Sequence, residues 1–113
     1  MIYYVYILTN NRHTVFYTGI TNNIDNRVFL HKVKFNKGFT ARYNCTKLVY
    51  YEEFPDPTEA IHREKQVKKY RRNWKKEMIT KMNPEWRDLS ENWYDPREIE
   101  SFKEAMRDRG PAR

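Results

Sequence analysis

The sequence predicts an α+β fold. It is a small three-stranded, mostly antiparallel sheet flanked by helices in ββαβα order, followed by a C-terminal helical tail. Three observations carry this. Residues 2–8 and 15–20 are aromatic and β-branched runs joined by a polar, turn-rich segment, and residues 47–54 form a third such run. Capping residues and an apolar pattern of helical period come after the second run and again after the third. The chain has 113 residues, which suits one compact core and not two.

The first strand is Tyr3-Tyr4-Val5-Tyr6-Ile7-Leu8, free of Pro and Gly. Thr9 to His13 make a turn, and Tyr17-Thr18-Gly19-Ile20 returns as the second strand of an antiparallel hairpin. Thr21-Asn22-Asn23 offer capping side chains for a helix over 24–36, with Gly38 just beyond its end. Lys47 to Phe54 read as the third strand, broken by Pro55-Asp56-Pro57-Thr58, where Asp56 or Thr58 caps the next helix. One long helix is expected from 58 to 80, ended by Asn83-Pro84. Trp86, Leu89 and Trp93 recur at roughly helical spacing, so this segment should pack back onto the domain. Pro96 opens a last, highly charged helix with Ile99, Phe102 and Met106 as a thin apolar stripe, and Asp108 to Arg113 should fray.

The net charge is +7, unevenly spread: residues 1–83 hold sixteen Lys/Arg against seven Asp/Glu, and the remainder six against eight. A basic core domain favours a polyanion, nucleic acid above all, although solvated lysines alone would give the same balance. The single Cys45 excludes an internal disulfide framework and a thiolate metal cluster, and a reducing cytoplasm fits it. The N-terminus lacks the pattern of a signal peptide. No apolar stretch approaches the ~20 residues of a spanning helix, so no membrane partner is expected.

Several residues stand out for chemistry. Glu64 falls on the apolar stripe of the long helix, with Ala60, Val67, Trp74 and Met78. An inward carboxylate needs a counter-charge or a metal. A salt bridge to Arg27 or Arg71 satisfies it, and so does a Mg²⁺ ion that keeps most of its waters. Arg27 and His31 share a helix face at i, i+4, as a polar pair that docks the helix or as a phosphate clamp beside a proton acceptor. Tyr6 and Tyr17 lie on adjacent strands, where tyrosines ordinarily pack. Gly19 marks close approach of another group to the backbone. Between Arg63 and Lys76 there are eight Lys/Arg and one acid, with Tyr70 and Trp74 interleaved. Such density suits a phosphate-tracking surface, including Lys65, Lys68, Lys69 and Arg72.

Taken in order, Tyr4-Val5-Tyr6, Tyr17-Thr18-Gly19, Arg27, His31 and Glu64 resemble the GIY-YIG nuclease superfamily, closest to its small single-domain bacterial members. The likeness covers about residues 2–89, including Phe39-Thr40, Leu48-Val49-Tyr50, Glu64-Lys65-Gln66 and Asn83-Pro84-Glu85-Trp86. It divides the chain into a nuclease-like domain, 1–89, and a charged helical extension, 90–113. Tyr4 stands where the first motif has glycine, and Val5 and Thr18 where the motifs have isoleucine.

The resemblance implies hydrolysis of DNA phosphodiester bonds with one divalent ion, Mg²⁺ or Mn²⁺, held by Glu64. It implies catalytic roles for Tyr6, Tyr17, Arg27, His31 and Glu64. With these go substrate contacts from Gly19, Arg27 and the basic residues above, and from Asn83 as a counterpart of the family's late asparagine. Tyr6 would act as general base, its phenolate favoured by the metal and Arg27. A non-catalytic nucleic-acid-binding module with a vestigial site remains the alternative, and a protein-interaction domain built on the Trp86–Trp93 segment a third. No second DNA-binding domain is visible, so the DNA is recognised by its structure, branched forms included, or a partner protein supplies targeting. The oligomeric state is not legible.

Overall fold

The computed structural model describes residues 1–108. Its elements are β1 (Tyr3–Thr9), β2 (Phe16–Thr21), α1 (Ile24–Lys32), α2 (Phe39–Arg42), β3 (Lys47–Phe54), α3 (Pro57–Lys69), α4 (Arg72–Met82) and α5 (Pro96–Asp108). The expected fraying end, beyond Asp108, lies outside the described residues.

The sheet order is β2-β1-β3, antiparallel throughout. The central strand is covered on both faces, so Val5 to Leu8 are fully buried and each contributes about 1.5–3 kcal/mol of hydrophobic stabilisation. Alternation along β1 divides the core. Tyr6 and Leu8 pack with Ile24, Val28, Cys45 and Leu48 on the α1 side. Ile7 packs with Val49, Tyr50, Val67 and Ile79 on the side of α3 and α4. A register shift between Ile7 and Leu8 leaves Val49 without a partner across the ladder. That bulge allows Val49 and its neighbour Tyr50 to join the same cluster. Among the described residues no helix is long and apolar enough to cross a membrane.

Three helical expectations need correction. The Asn23 side chain caps α1 by accepting from the Asn26 amide at 3.1 Å, but the helix stops at Lys32, short of residue 36. Lys34, at φ 55°, takes the left-handed stop position, with its amide donating to His31 O and the Phe35 amide to Leu30 O. Gly38 instead precedes α2, a single turn too short to leave a periodic signal.

The long helix is two. Asp56 caps α3 through the Thr58 amide, with Pro57 in the first turn. Tyr70 and Arg71 are extended, at ψ 141° and 155°, and α4 begins anew. No Pro or Gly marks the break. It separates the supposed stripe: Ala60, Glu64 and Val67 stay buried, while Trp74 is 57% exposed. The break also lets Ile79 and Met78 reach the second core cluster.

The Trp86–Trp93 segment does pack back on the domain, as an irregular chain and not a helix. Leu89, Trp93 and Tyr94 cover one cluster and Trp86 the other. Asp88 fastens it, pairing with Lys32 at 2.5 Å and accepting from the Leu48 amide. Helix α5 meets α1 through Phe102, whose ring centroid lies 5.4 Å from that of Phe29.

Asn83 is a clamp within this segment. Its Nδ2 donates to Val49 O and Arg87 O at 3.2 and 2.8 Å, and its Oδ1 accepts from the Arg87 amide at 3.1 Å. The side chain is buried and its polar atoms are engaged, so the expected substrate contact has no free group to make it. Asn83→Ala is expected to destabilise the fold by roughly 2–4 kcal/mol, because buried backbone groups lose their partners. Urea unfolding should show a lower midpoint at unchanged slope.

Candidate active site

Pairing of Tyr6 with Gly19 on β2 and Tyr51 on β3 aims the Tyr6 ring at α1 from the middle of the sheet. The ring lies over Gly19. A Cβ on Gly19 would stand 2.5 Å from Tyr6 Cζ and from its hydroxyl oxygen, so the group approaching this glycine is a catalytic candidate's own ring. Tyr17 flanks it, with ring centroids 6.3 Å apart.

From α1, His31 turns inward one helical turn after Arg27. The His31 Nε2 is 3.2 Å from the Tyr6 hydroxyl, and its Nδ1 is 2.9 Å from Thr40 Oγ1. His31 and Thr40 are buried and Arg27 is exposed. The Arg27 charge acts on both Tyr6 and His31. With the phenol as donor, His31 Nε2 is the acceptor. A neutral His31 then carries its proton on Nδ1 and donates to Thr40 Oγ1. Thr40 is the site residue that sequence reasoning did not single out. It sits on α2, the element without a sequence signature, though the Phe39-Thr40 pair belonged to the resemblance.

The protonation states follow from burial. Desolvation, with Tyr17 second, pushes the Tyr6 phenol well above the ordinary tyrosine range. Arg27 pulls it down and loses, and Glu64 adds to the rise. The expectation that Arg27 favours phenolate is therefore outweighed in the folded chain. Burial and then the Arg27 charge lower His31 to about 4, so it is neutral at pH 7.

A histidine depressed in the folded state contributes stability above its unfolded value of about 6.5 and loses it as pH falls toward 4. The loss should reach about 3 kcal/mol, at about 1.36 kcal/mol per pH unit. His31→Gln should flatten that part of the stability–pH curve, measured by urea midpoints between pH 7 and 3.5.

Glu64 faces inward from α3 and is 9% exposed. Its Oε2 meets Lys68 Nζ at 2.6 Å, so its ion pair is neither with Arg27 nor with Arg71 but with its own i+4 neighbour. Arg63 fixes the roll of α3 by holding Glu52 through Nε and Nη2 at 2.9–3.1 Å, and Glu52 also meets Tyr50 Oη. Among the described residues no group of three or more His, Cys, Asp or Glu gathers to hold a metal. A single carboxylate fits an ion that retains most of its waters, and does not fit zinc.

The remaining basic residues divide. Lys65 and Lys69 are exposed on α3 with Lys68. Arg72 is occupied: its Nη2 donates to Thr14 O at 2.5 Å, and its guanidinium lies 4.9 Å from the Phe16 ring centre. Through Nη2 it fastens the β1–β2 loop.

A family model described as the GIY-YIG catalytic domain matches residues 2–78. The chain belongs to the GIY-YIG family. That family is one of nucleases, and here its signature is carried by the Tyr6–Gly19 stack and the Tyr17 ring. A UPF0213 protein of Clostridium perfringens is 39% identical over 77 residues, covering 68% of this chain and 82% of that protein. One from Staphylococcus haemolyticus is 37% identical over 81 residues, covering 68% and 93%. The solution NMR structure of a UPF0213 protein from Bacillus halodurans shares the fold at a TM-score of 0.51 and 27% identity. It covers 81% of this chain and 98% of its own. The GIY-YIG match spans the sheet, α1 and α3, which supply Tyr6, Tyr17, Arg27, His31 and Glu64. Asn83 and α5 lie beyond it.

Proposed function

We propose that the protein is a metal-dependent endonuclease that hydrolyses DNA phosphodiester bonds. The observation that carries this reading is the hydrogen-bonded series Tyr6–His31–Thr40, set beside an exposed arginine and an inward carboxylate. Binding alone has no use for a buried proton relay.

The site's own groups suggest how the relay works. Burial disfavours a free phenolate at Tyr6. Tyr6 therefore takes a proton from the attacking water as it passes its own proton to His31 Nε2, and remains neutral throughout. The water oxygen bonds to phosphorus while the leaving oxygen departs with the bonding pair and is protonated from solvent. The imidazolium holds the proton taken from the water until solvent accepts it. Arg27 binds the phosphate by its planar fork and neutralises charge developing there. The same contact cancels the positive charge that depresses His31, so substrate itself makes His31 a better acceptor. Tyr17, half-buried beside the Tyr6 ring, is the side chain that would move aside to admit the attacking water. Glu64 would hold Mg²⁺ or Mn²⁺ after Lys68 swings away, and the bound ion would supply Lewis-acid stabilisation of the phosphate and the leaving oxygen. Lys65, Lys68 and Lys69 would contact the DNA backbone in a salt-sensitive way.

The test is incubation of the purified chain with linear, nicked, flapped and branched DNA in Mg²⁺ or Mn²⁺, with and without chelator. Cleavage stopped by chelator is the expected result, and the preferred form names the substrate. Salt-dependent binding without cleavage on every form would instead favour a binding module whose site is vestigial, or one that acts only with a targeting partner.

A further inference from the structure

A line of aromatic rings leaves the buried site and ends in solvent. Tyr6 is fully buried, Tyr17 half-buried, and Phe39 and Tyr43 are 48% and 40% exposed. Successive ring centroids lie 6.3 Å apart from Tyr6 to Tyr17, 6.3 Å from Tyr17 to Phe39, and 4.8 Å from Phe39 to Tyr43. Arg42 stands over the outer ring, its guanidinium carbon 5.5 Å from the Tyr43 centroid. Helix α2 is one turn long, so Phe39 and Tyr43, four residues apart, share a face of that turn.

Large apolar residues left in water need a reason, and here two adjoin the relay and carry a cation at their outer end. Isolated surface aromatics are ordinary, but these form one continuous surface with the site. Base faces stack on exposed aromatic rings whatever their sequence, and a nearby arginine adds attraction to the adjoining phosphates. A paired base cannot offer its face, because neighbouring pairs cover it. The partner that fits an aromatic step plus a positive charge is therefore unpaired nucleotide. A hydrophobic protein partner would gain nothing from Arg42 or from the basic excess of residues 1–83.

We infer that Phe39 and Tyr43 form a stacking platform for unpaired DNA bases next to the scissile phosphate, so that the site selects DNA with a single-stranded stretch. The inference deepens the nuclease reading and rests on it for the position of that phosphate. The platform would recognise unpaired structure, with little dependence on sequence.

The experiment measures binding in chelator, where no cleavage is needed. Fluorescently labelled single-stranded oligonucleotide and a fully complementary blunt-ended duplex of equal length are titrated with wild type, Phe39→Leu, Tyr43→Leu and Phe39→Trp. Leucine keeps apolar bulk without an aromatic face, and tryptophan keeps the face. Each leucine variant should bind single strand about tenfold more weakly and duplex within about twofold, while Phe39→Trp holds wild-type affinity. Equal losses on both DNAs, no loss on either, or failure of tryptophan to hold affinity would overturn the platform. Circular dichroism and the thermal midpoint identify any variant that fails to fold, and Phe39→Trp then decides alone. A selective loss in a protein that never cleaves DNA would leave the platform standing and sink the nuclease reading. Cleavage without the selective loss would do the reverse.

Discussion

Glu64→Ala is expected to lower metal-dependent cleavage by about 10³-fold, since a bound ion supplies several kcal/mol of transition-state stabilisation and each ~1.4 kcal/mol is tenfold. Stability should hardly change. The Glu64–Lys68 pair sits at the protein surface on its lysine side, Lys68 being 54% exposed, and such i,i+4 pairs contribute at most about 1 kcal/mol. Lys68→Ala separates the two roles of the carboxylate. If Glu64 serves only that ion pair, both substitutions should cost the same. If it holds the metal, Lys68→Ala should retain most cleavage in saturating Mg²⁺ and lose only DNA affinity. Single-turnover rates and binding isotherms on the same DNA give the answer. Wild-type cleavage by Glu64→Ala would remove the metal-ligand assignment outright.

Gly19→Ala is expected to damage both fold and activity, although it adds one methyl group on an ordinary strand. That methyl would stand 2.5 Å from the end of the Tyr6 ring, which is fully buried and has no room to retreat. Overpacking of this kind costs about 1–3 kcal/mol, or roughly 4–20 °C in Tm for a domain of this size. The larger loss is catalytic. Moving the Tyr6 hydroxyl by about 1 Å breaks its 3.2 Å contact with His31 and should cost on the order of 10²-fold in rate. A double-mutant cycle checks the cause. In a Tyr6→Leu background the ring end is gone, and Gly19→Ala should cost much less stability than in wild type. Equal cost in both backgrounds would show that the ring is not what the methyl group meets.

The same glycine shows where sequence reasoning stops. Gly19 in a strand announces a close approach, but nothing local says what approaches. The register β1 to β2 supplies the answer by setting Gly19 opposite Tyr6. Lys65 and Arg72 look alike in the basic run and both are exposed, yet only Arg72 also grips Thr14 O. Asn83 looks like a family site residue and proves to be a clamp on Val49 and Arg87. The break at Tyr70 and Arg71 left no Pro, Gly or cap to read, because packing of Ile79 and Met78 on the far sheet face decides it.

The strands, with β3 at Lys47–Phe54 as read, the cap-bearing segments 21–23 and 56–58, the antiparallel α+β class and the family were all legible in the sequence. The structure chose Asn23 and Asp56 as the caps. The legible features rest on alternation, helical period and capping, which act over a few residues and so are written in neighbouring positions. The sequence also singled out Tyr6, Tyr17, Arg27, His31 and Glu64 as an ordered set. Tertiary structure alone decided which of these touch, that Lys68 is the partner of Glu64, that Thr40 meets His31 Nδ1, and that burial favours a neutral phenol at Tyr6 and an uncharged imidazole at His31. Apart from the Glu64–Lys68 pair, the hydrogen-bond partners and desolvating groups of the site come from separate elements of the chain. No local pattern encodes such neighbours, and only the closed fold brings them within reach.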